Sequence, residues 1–220
     1  MTARRLTCTP EEYRASTEPL LSQTTATTIV TKSPQHAWLA HPAFGGKGKT
    51  TTRAMDIGSA AHSLVLGKGA PLRIVEADNW RTNVAKAARA AARAAGEIPV
   101  LAAQHNDVVM MAGAILAQFD ERGIHLTGDS EAAIEWTEQS VLDGPVRCRG
   151  MLDHLIEHEG KIYDLKITGD ASDSAIEKSA MRFGYDLQRA AYVSALEKLR
   201  PDLAGRVDFV FLFAESEEPY

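Results

Sequence analysis

The sequence predicts a mixed α/β domain with helices packed on a sheet, and three observations carry that reading. Helical periodicity dominates the first two thirds of the chain, and period-two alternation takes over near residue 132. An apolar run, VDFVFLFA at residues 207–214, then reads as a strand central to a sheet. A strand meander bracketed by helices places those helices against the sheet. With 220 residues and 45% hydrophobic content the chain suffices for one sizeable core, so a single domain over residues 1–220 is expected.

Each element has its own signal. Residues 23–40 read as a Thr-rich entry helix closed at His41-Pro42, followed by a mobile loop at residues 45–49 that lacks the spacing of a phosphate-binding loop. Residues 57–66 (IGSAAHSLVL) form a compact apolar helix ended by Gly67. Residues 79–95 form an alanine-rich helix with Arg and Lys at helical spacing, and residues 100–122 a longer amphipathic one. Strands are expected at residues 132–136, 146–158 and 161–168, the last two joined at Glu159-Gly160. A final helix at residues 174–199 stops before Pro201.

Composition excludes several classes. No run approaches the roughly eighteen apolar residues of a membrane span, and the first residues lack the apolar core of a signal peptide, so no membrane partner is expected. Cys8 and Cys148 lie far apart, which predicts neither a disulfide framework nor a thiolate zinc site and points to a reducing cytoplasm. The net charge of −5 argues against clamping nucleic acid by bulk electrostatics, but the charges are unevenly placed. Residues 43–55 and 80–96 hold bases (Lys47, Lys49, Arg53; Arg81, Lys86, Arg89, Arg93) and no acid, whereas residues 119–143 carry seven acids and one base. A polyanion surface beside a metal-attracting one fits this asymmetry, and so do ordinary solvated helix faces.

The most informative stretch is RGMLDHLIEHEGKIYDLKIT at residues 149–168. With Glu159-Gly160 as a two-residue turn, Asp153 faces Lys166 and Leu155 faces Asp164. Asp153, Asp164 and Lys166 then share one face, while Leu152, Ile156, Tyr163, Leu165 and Ile167 fill the other. Opposed side chains start roughly 5 Å apart at Cβ and diagonal ones about 7–8 Å, so Asp153 and Asp164 can both reach a single hard cation between them. Two carboxylates holding Mg²⁺ or Mn²⁺ beside a lysine make a phosphodiesterase layout, and a cross-strand ion pair makes the same pattern. Upstream, Gly58 and His62 lie four residues apart on one helix face, where glycine permits close packing and the imidazole offers a ligand or a core contact. Downstream, Tyr185, Gln188 and Tyr192 form a polar stripe at helical spacing, suited to a nucleic-acid groove or to an ordinary helix edge.

Taken in order, Gly58-x-x-x-His62, Glu131, Gly150-x-x-Asp153, Asp164-x-Lys166 and Gln188-x-x-x-Tyr192 resemble the motif series of the exonuclease branch of the PD-(D/E)XK nuclease superfamily. The resemblance is to exonuclease VIII (RecE-like) and phage exonucleases, and more distantly to the RecB nuclease domain and lambda exonuclease. It runs from about residue 24 to 215. It implies a restriction-endonuclease-like core, a mixed central sheet flanked by helices, and a metal-dependent DNA exonuclease that resects duplex ends for recombination in a bacterial or phage-infected cytoplasm. Carried over, it makes His62, Asp153, Asp164 and the Leu165 carbonyl ligands of two Mg²⁺ or Mn²⁺ ions, with Lys166 the catalytic amine. Glu131 matches the acid at the start of the preceding strand, where Glu135 is the alternative. Gln188 and Tyr192 match the motif that supports the site and the DNA strand; Tyr185, Arg89 and Arg93 are further candidates for substrate contact. The partners implied are duplex DNA ends, a single-strand annealing protein and further copies of the chain. Family members usually continue past the last strand, so a shortened chain or an otherwise completed sheet edge is expected, and a catalytically inactive DNA-binding or assembly module is the alternative function.

Overall fold

The computed structural model describes residues 3–44, 46, 52–140, 144–218 and 220. The expected glycine-lysine loop at residues 45–49, apart from Gly46, and Asp143 of the acidic stretch lie outside the described residues. The chain begins with β1 (Ala3–Arg5), α1 (Pro10–Ala15) and β2 (Leu21–Ser22). Thr9 starts α1 with a reciprocal cap, its hydroxyl accepting from Glu12 N while the Glu12 carboxylate accepts from Thr9 N. The single helix expected at residues 23–40 is two, α2 (Gln23–Thr31) and α3 (Pro34–Ala40). Ser33 caps the second, and Pro34 has no N–H with which to continue the first.

Next come α4 (Arg53–Leu66), closed by left-handed Gly67, β3 (Leu72–Val75), α5 (Asn83–Ala94), β4 (Ile98–Leu101) and α6 (Ala102–Glu121). The helix expected from residue 100 starts two residues later because Ile98–Leu101 pairs in parallel with β3. The meander is β5 (Asp129–Ser140), β6 (Gly144–Ile156) and β7 (Lys161–Thr168), the last with the bounds expected. The long final helix is again two, α7 (Asp173–Phe183) and α8 (Tyr185–Leu199), broken at Gly184 with φ 66°. Strand β8 (Asp208–Glu215) follows. A Cβ on Gly184 would lie 2.9 Å from the Thr27 hydroxyl of α2, so the break is also where α2 seats.

The main sheet has the order β1-β5-β6-β7-β8, with β2 added to β6 in parallel and β5-β6-β7 antiparallel. Asp208 N donates to Gly160 O and Ser216 N to Thr168 O, so β8 runs parallel to β7, the two joined through α7 and α8. This is a mixed sheet with helices against it, consistent with the restriction-endonuclease-like class. Among the described residues no helix is long and apolar enough to cross a membrane. Contacts divide the chain into two compact units, residues 1–50, 128–164 and 170–212 in one, and 51–127, 165–169 and 213–220 in the other. The first is built on Ile134, Trp136, Leu152, Leu155 and Ile162 of the sheet with Tyr192, Ala195 and Leu196 of α8. In the second, α4 (Ala60, Ala61, Val65) packs on α6 (Val108, Met111, Ile115).

The hairpin differs from expectation in a way that bears on the site. Residues Glu157–Glu159 make a 3₁₀ turn closed by left-handed Gly160, so four residues rather than two join the strands. The pairs are His154↔Tyr163, Leu155↔Ile162 and Ile156↔Lys161. Continued by one pair, this register sets Asp153 opposite Asp164 instead of Lys166. A shift of two residues keeps every side chain on its expected face. The expected division into an oily and a polar face holds only in part, because Leu155 and Ile162, on the face of the carboxylates, are 1% and 0% exposed.

His154 anchors the end of this hairpin and gives the fold a pH response. Gly128 N donates to its Nε2 at 3.1 Å, which puts the ring proton on Nδ1, 3.0 Å from the Ser130 hydroxyl. Burial pushes the imidazole below its ordinary value, with Asp129 opposing. The unfolded chain therefore takes up this proton first. Stability conferred by neutral His154 is present at neutral pH, begins to fall as pH drops through about 6.5, and levels off below the folded-state value. Thermal melts are expected to show a larger loss of Tm from neutral to mildly acidic pH in the wild type than in His154→Gln. Equal losses would remove this residue as the cause.

Candidate active site

In the first unit, the registers of β5 to β7, continued past their last pairs, set Glu131, Asp153 and Asp164 at neighbouring positions on adjacent strands. Between the pairs Ser130↔His154 and Ala132↔Leu152, Glu131 falls opposite Asp153, and Asp153 in turn falls opposite Asp164. Glu131 has φ 53°, a left-handed conformation that L side chains rarely adopt, and its carboxylate lies 3.6 Å from the Arg14 guanidinium of α1. Such strain persists only where the surroundings hold it, and it recurs at functional positions. Asp164 is 1% exposed, and the Gln188 side-chain amide of α8 donates to its Oδ2.

Gln188 and Tyr192 are both buried, one turn apart, with Ala195 and Leu196 continuing the inward stripe. They belong to the packed interior rather than to an open groove wall. Burial first, then the charges of Tyr13, Asp164 and Asp153, hold the Tyr192 phenol well above its ordinary range, so it stays protonated beside the carboxylates. Gly150 makes the seat for its ring: a Cβ there would lie 2.5 Å from Tyr192 Cε1 and 3.3 Å from Trp136 Cζ3. Tyr185 is half-buried, its ring 5.1 Å from that of Phe211 and 6.0 Å from that of Phe183.

In the second unit, His62 of α4 places Nε2 2.6 Å from the carbonyl oxygen of Leu165. The imidazole N–H thus donates to the backbone carbonyl that stands between Asp164 and Lys166 in sequence. The close packing expected at Gly58 is not found among the described residues, where a Cβ would meet nothing within 4 Å. Arg93 donates to Asp56 at 2.7 Å, and the Arg89 guanidinium sits 5.2 Å from the Trp80 ring. Burial raises the Asp56 carboxyl above its ordinary value against the opposing pull of Arg93. Among the described residues no three His, Cys, Asp or Glu side chains form a group that could hold an ion as they stand.

A family model described as a PDDEXK-like domain of unknown function (DUF3799) matches residues 30–220. The chain belongs to this PDDEXK-like family. No curated protein matches it.

Within this PDDEXK-like chain, the matched region includes every sequence-derived candidate, while residues 1–29 precede it. That leading segment nevertheless touches the carboxylate row through Arg14, and it supplies Tyr13, whose carbonyl accepts from Arg149 while its ring packs under the Arg149 guanidinium at 4.7 Å. Arg149 stands on the face of Asp153 in β6, so alternation alone could have singled it out. Nothing in the sequence marks Arg14, whose contact is 117 positions away. The acidic stretch is mostly neutralised. Asp129 pairs with Arg5, Glu138 with Lys198, and Glu135 with both Arg4 at 2.7 Å and Arg147 at 2.6 Å. Burial pushes the Glu135 carboxyl up, and the two arginines more than offset it.

Proposed function

We propose that the chain is a divalent-metal-dependent DNA exonuclease of the RecE-like kind, resecting duplex ends for recombination in a bacterial or phage-infected cytoplasm. The observation that carries this is the β6–β7 register, which continued by one pair sets Asp153 opposite Asp164, with Lys166 two residues on and Gln188 bonded to Asp164, in a PDDEXK-like family member. Nucleases of this superfamily are generally dependent on divalent metals. The proposed ligands suit Mg²⁺ or Mn²⁺ by their chemistry: the Asp153 and Asp164 carboxylates and the Leu165 carbonyl are hard oxygen donors, and His62 adds an imidazole nitrogen. When bound, two such ions supply phosphodiester polarisation and an activated water.

The chain's own groups do the rest. Asp153 and Asp164 would hold the cations, and Gln188 and buried Tyr192 are positioning residues that keep Asp164 and its strand in place. The Lys166 ammonium orients the nucleophile and offsets charge building on the phosphorane. Arg89, Arg93 and Tyr185 remain the proposed substrate contacts, with DNA the first partner and a single-strand annealing protein and further copies of the chain the others.

Glu131 is preferred to Glu135 as the accessory acid, since it stands in the row with Asp153 whereas two arginines engage Glu135. Glu131→Gln is expected to slow digestion at least about tenfold. Glu135→Gln is expected to cost about 1 kcal/mol or less in denaturant unfolding, because its arginines are half exposed, and to leave digestion intact. The reverse outcome transfers the role. The exonuclease itself is tested by Mn²⁺-supported digestion of linear against covalently closed circular DNA: linear molecules should disappear and circles survive. Digestion of both makes it an endonuclease, and digestion of neither leaves the inactive DNA-binding module.

A further inference from the structure

The outer face of α6, in the second unit, has no part in this function. The helix buries Val108, Met111, Ala112, Ile115 and Phe119. On the side turned away from them, Val109, Met110 and Leu116 are exposed, as are Gly113 and Ala117. Gly113 is unexpected there. Only proline is a poorer helix former, and a Cβ at this position would meet nothing within 4 Å, so no neighbour among the described residues requires glycine. A missing Cβ in mid-helix lets another backbone approach closely from outside.

Spacing and charge identify what approaches. The face is symmetric about Gly113: Met110 and Leu116 lie three residues away on either side, Val109 and Ala117 four, and Asn106 and Asp120 seven. These offsets follow the helical repeat, so the positions share one stripe about 21 Å long. Such a face matches itself when a second copy lies antiparallel across it at Gly113, as a two-fold interface requires. Met110 then falls beside the partner's Ala117, and Leu116 beside the partner's Val109. At each end the exposed Asn106 amide faces the partner's Asp120 carboxylate, a donor against an acceptor. A parallel copy would set Asp120 against Asp120 instead. No Lys or Arg occurs in α6, and Asp107, Asp120 and Glu121 are exposed on it, so neither nucleic acid nor an anionic membrane suits this face.

We propose that two copies of the chain associate through α6, antiparallel and crossing at Gly113. The proposal gives self-association of the chain a surface, and it stands apart from the nuclease reading because α6 carries none of the proposed site residues.

The test is sedimentation equilibrium of the full chain in EDTA without DNA. One helix pair lies at the transient end of interface sizes, so the chain is taken from micromolar to about millimolar concentration. The mass should rise from 23.8 kDa toward that of two copies. Gly113→Glu brings two like charges together at the crossing and should weaken association at least about tenfold, while melting no lower than wild type because it replaces glycine in an exposed helix interior. Asn106→Asp should weaken it about three- to tenfold by facing the partner's Asp120 with a like charge. Combining Asn106→Asp with Asp120→Asn exchanges the two ends and should restore association to within about twofold of wild type. Four results overturn the proposal: one-chain mass throughout in the wild type, a limiting mass above two copies, association unchanged in Gly113→Glu, or no recovery in the exchange. Mn²⁺-supported digestion of linear DNA, run separately, reports the nuclease reading, so either can fail without the other.

Discussion

Asp164→Asn should abolish Mn²⁺-supported digestion of linear DNA while leaving the fold intact. The asparagine keeps the shape of the side chain and an oxygen for the Gln188 amide, so the packing around this 1% exposed position survives. What it loses is the negative charge that would hold a cation. Like charges directly opposed across strands are destabilising. The variant should therefore melt at or above the wild-type temperature as activity disappears. Lys166→Ala should lower digestion about 10²- to 10⁴-fold, the range for loss of a positioned acid–base group. Retained activity in either folded variant would remove the proposed site. Gln188→Ala tests the supporting layer, with an expected loss of about 10- to 100-fold in metal affinity.

The second large effect is on packing. Gly150→Ala would drive a Cβ to 2.5 Å from Tyr192 Cε1 and 3.1 Å from Cδ1, and the ring has Trp136 beside it. Overpacking of this kind costs about 1–3 kcal/mol. Tyr192 sits on α8 one turn from Gln188, so relief by moving the helix also draws Gln188 from Asp164. The expected result is a lower denaturation midpoint together with slower digestion. Combining Gly150→Ala with Tyr192→Leu, which removes the ring, should recover much of the stability. A Gly150→Ala protein as stable and active as wild type would show that the seat accommodates a methyl group without moving α8.

The legible parts of this fold were those with a local cause. Strand β7 has the bounds its sequence predicts because Ile162 to Ile167 alternate inside two clear breaks. Gly67 ended α4 as glycine does when a left-handed residue closes a helix. The breaks at Pro34 and Gly184 had signals too, but apolar periodicity continued across them and masked them. Strands β1 and β2 are three and two residues long, too short for alternation to register, and exist because β5 and β6 offer edges. The hairpin register differs from the expected one because Gly160 marks a turn without saying whether a 3₁₀ turn precedes it.

For the proposed site, motif order singles out His62, Asp153, Asp164 and Gln188, and the structure adds the His62 to Leu165 carbonyl contact and the Gln188 to Asp164 bond. Tyr192 appeared as part of a polar stripe although it faces inward, since the hydroxyl of a buried tyrosine looks polar in a one-dimensional pattern. Asp56 with Arg93, and Arg14 with Glu131, stayed hidden because such pairs are made by the fold and carry no spacing rule.

Calorimetric titration of the chain with Mn²⁺ tests the metal-dependent nuclease most directly. Saturable binding at or below millimolar concentration in the wild type, lost in both Asp153→Asn and Asp164→Asn, is the predicted result. No saturable heat in the wild type, or binding unchanged in those two variants, would contradict it.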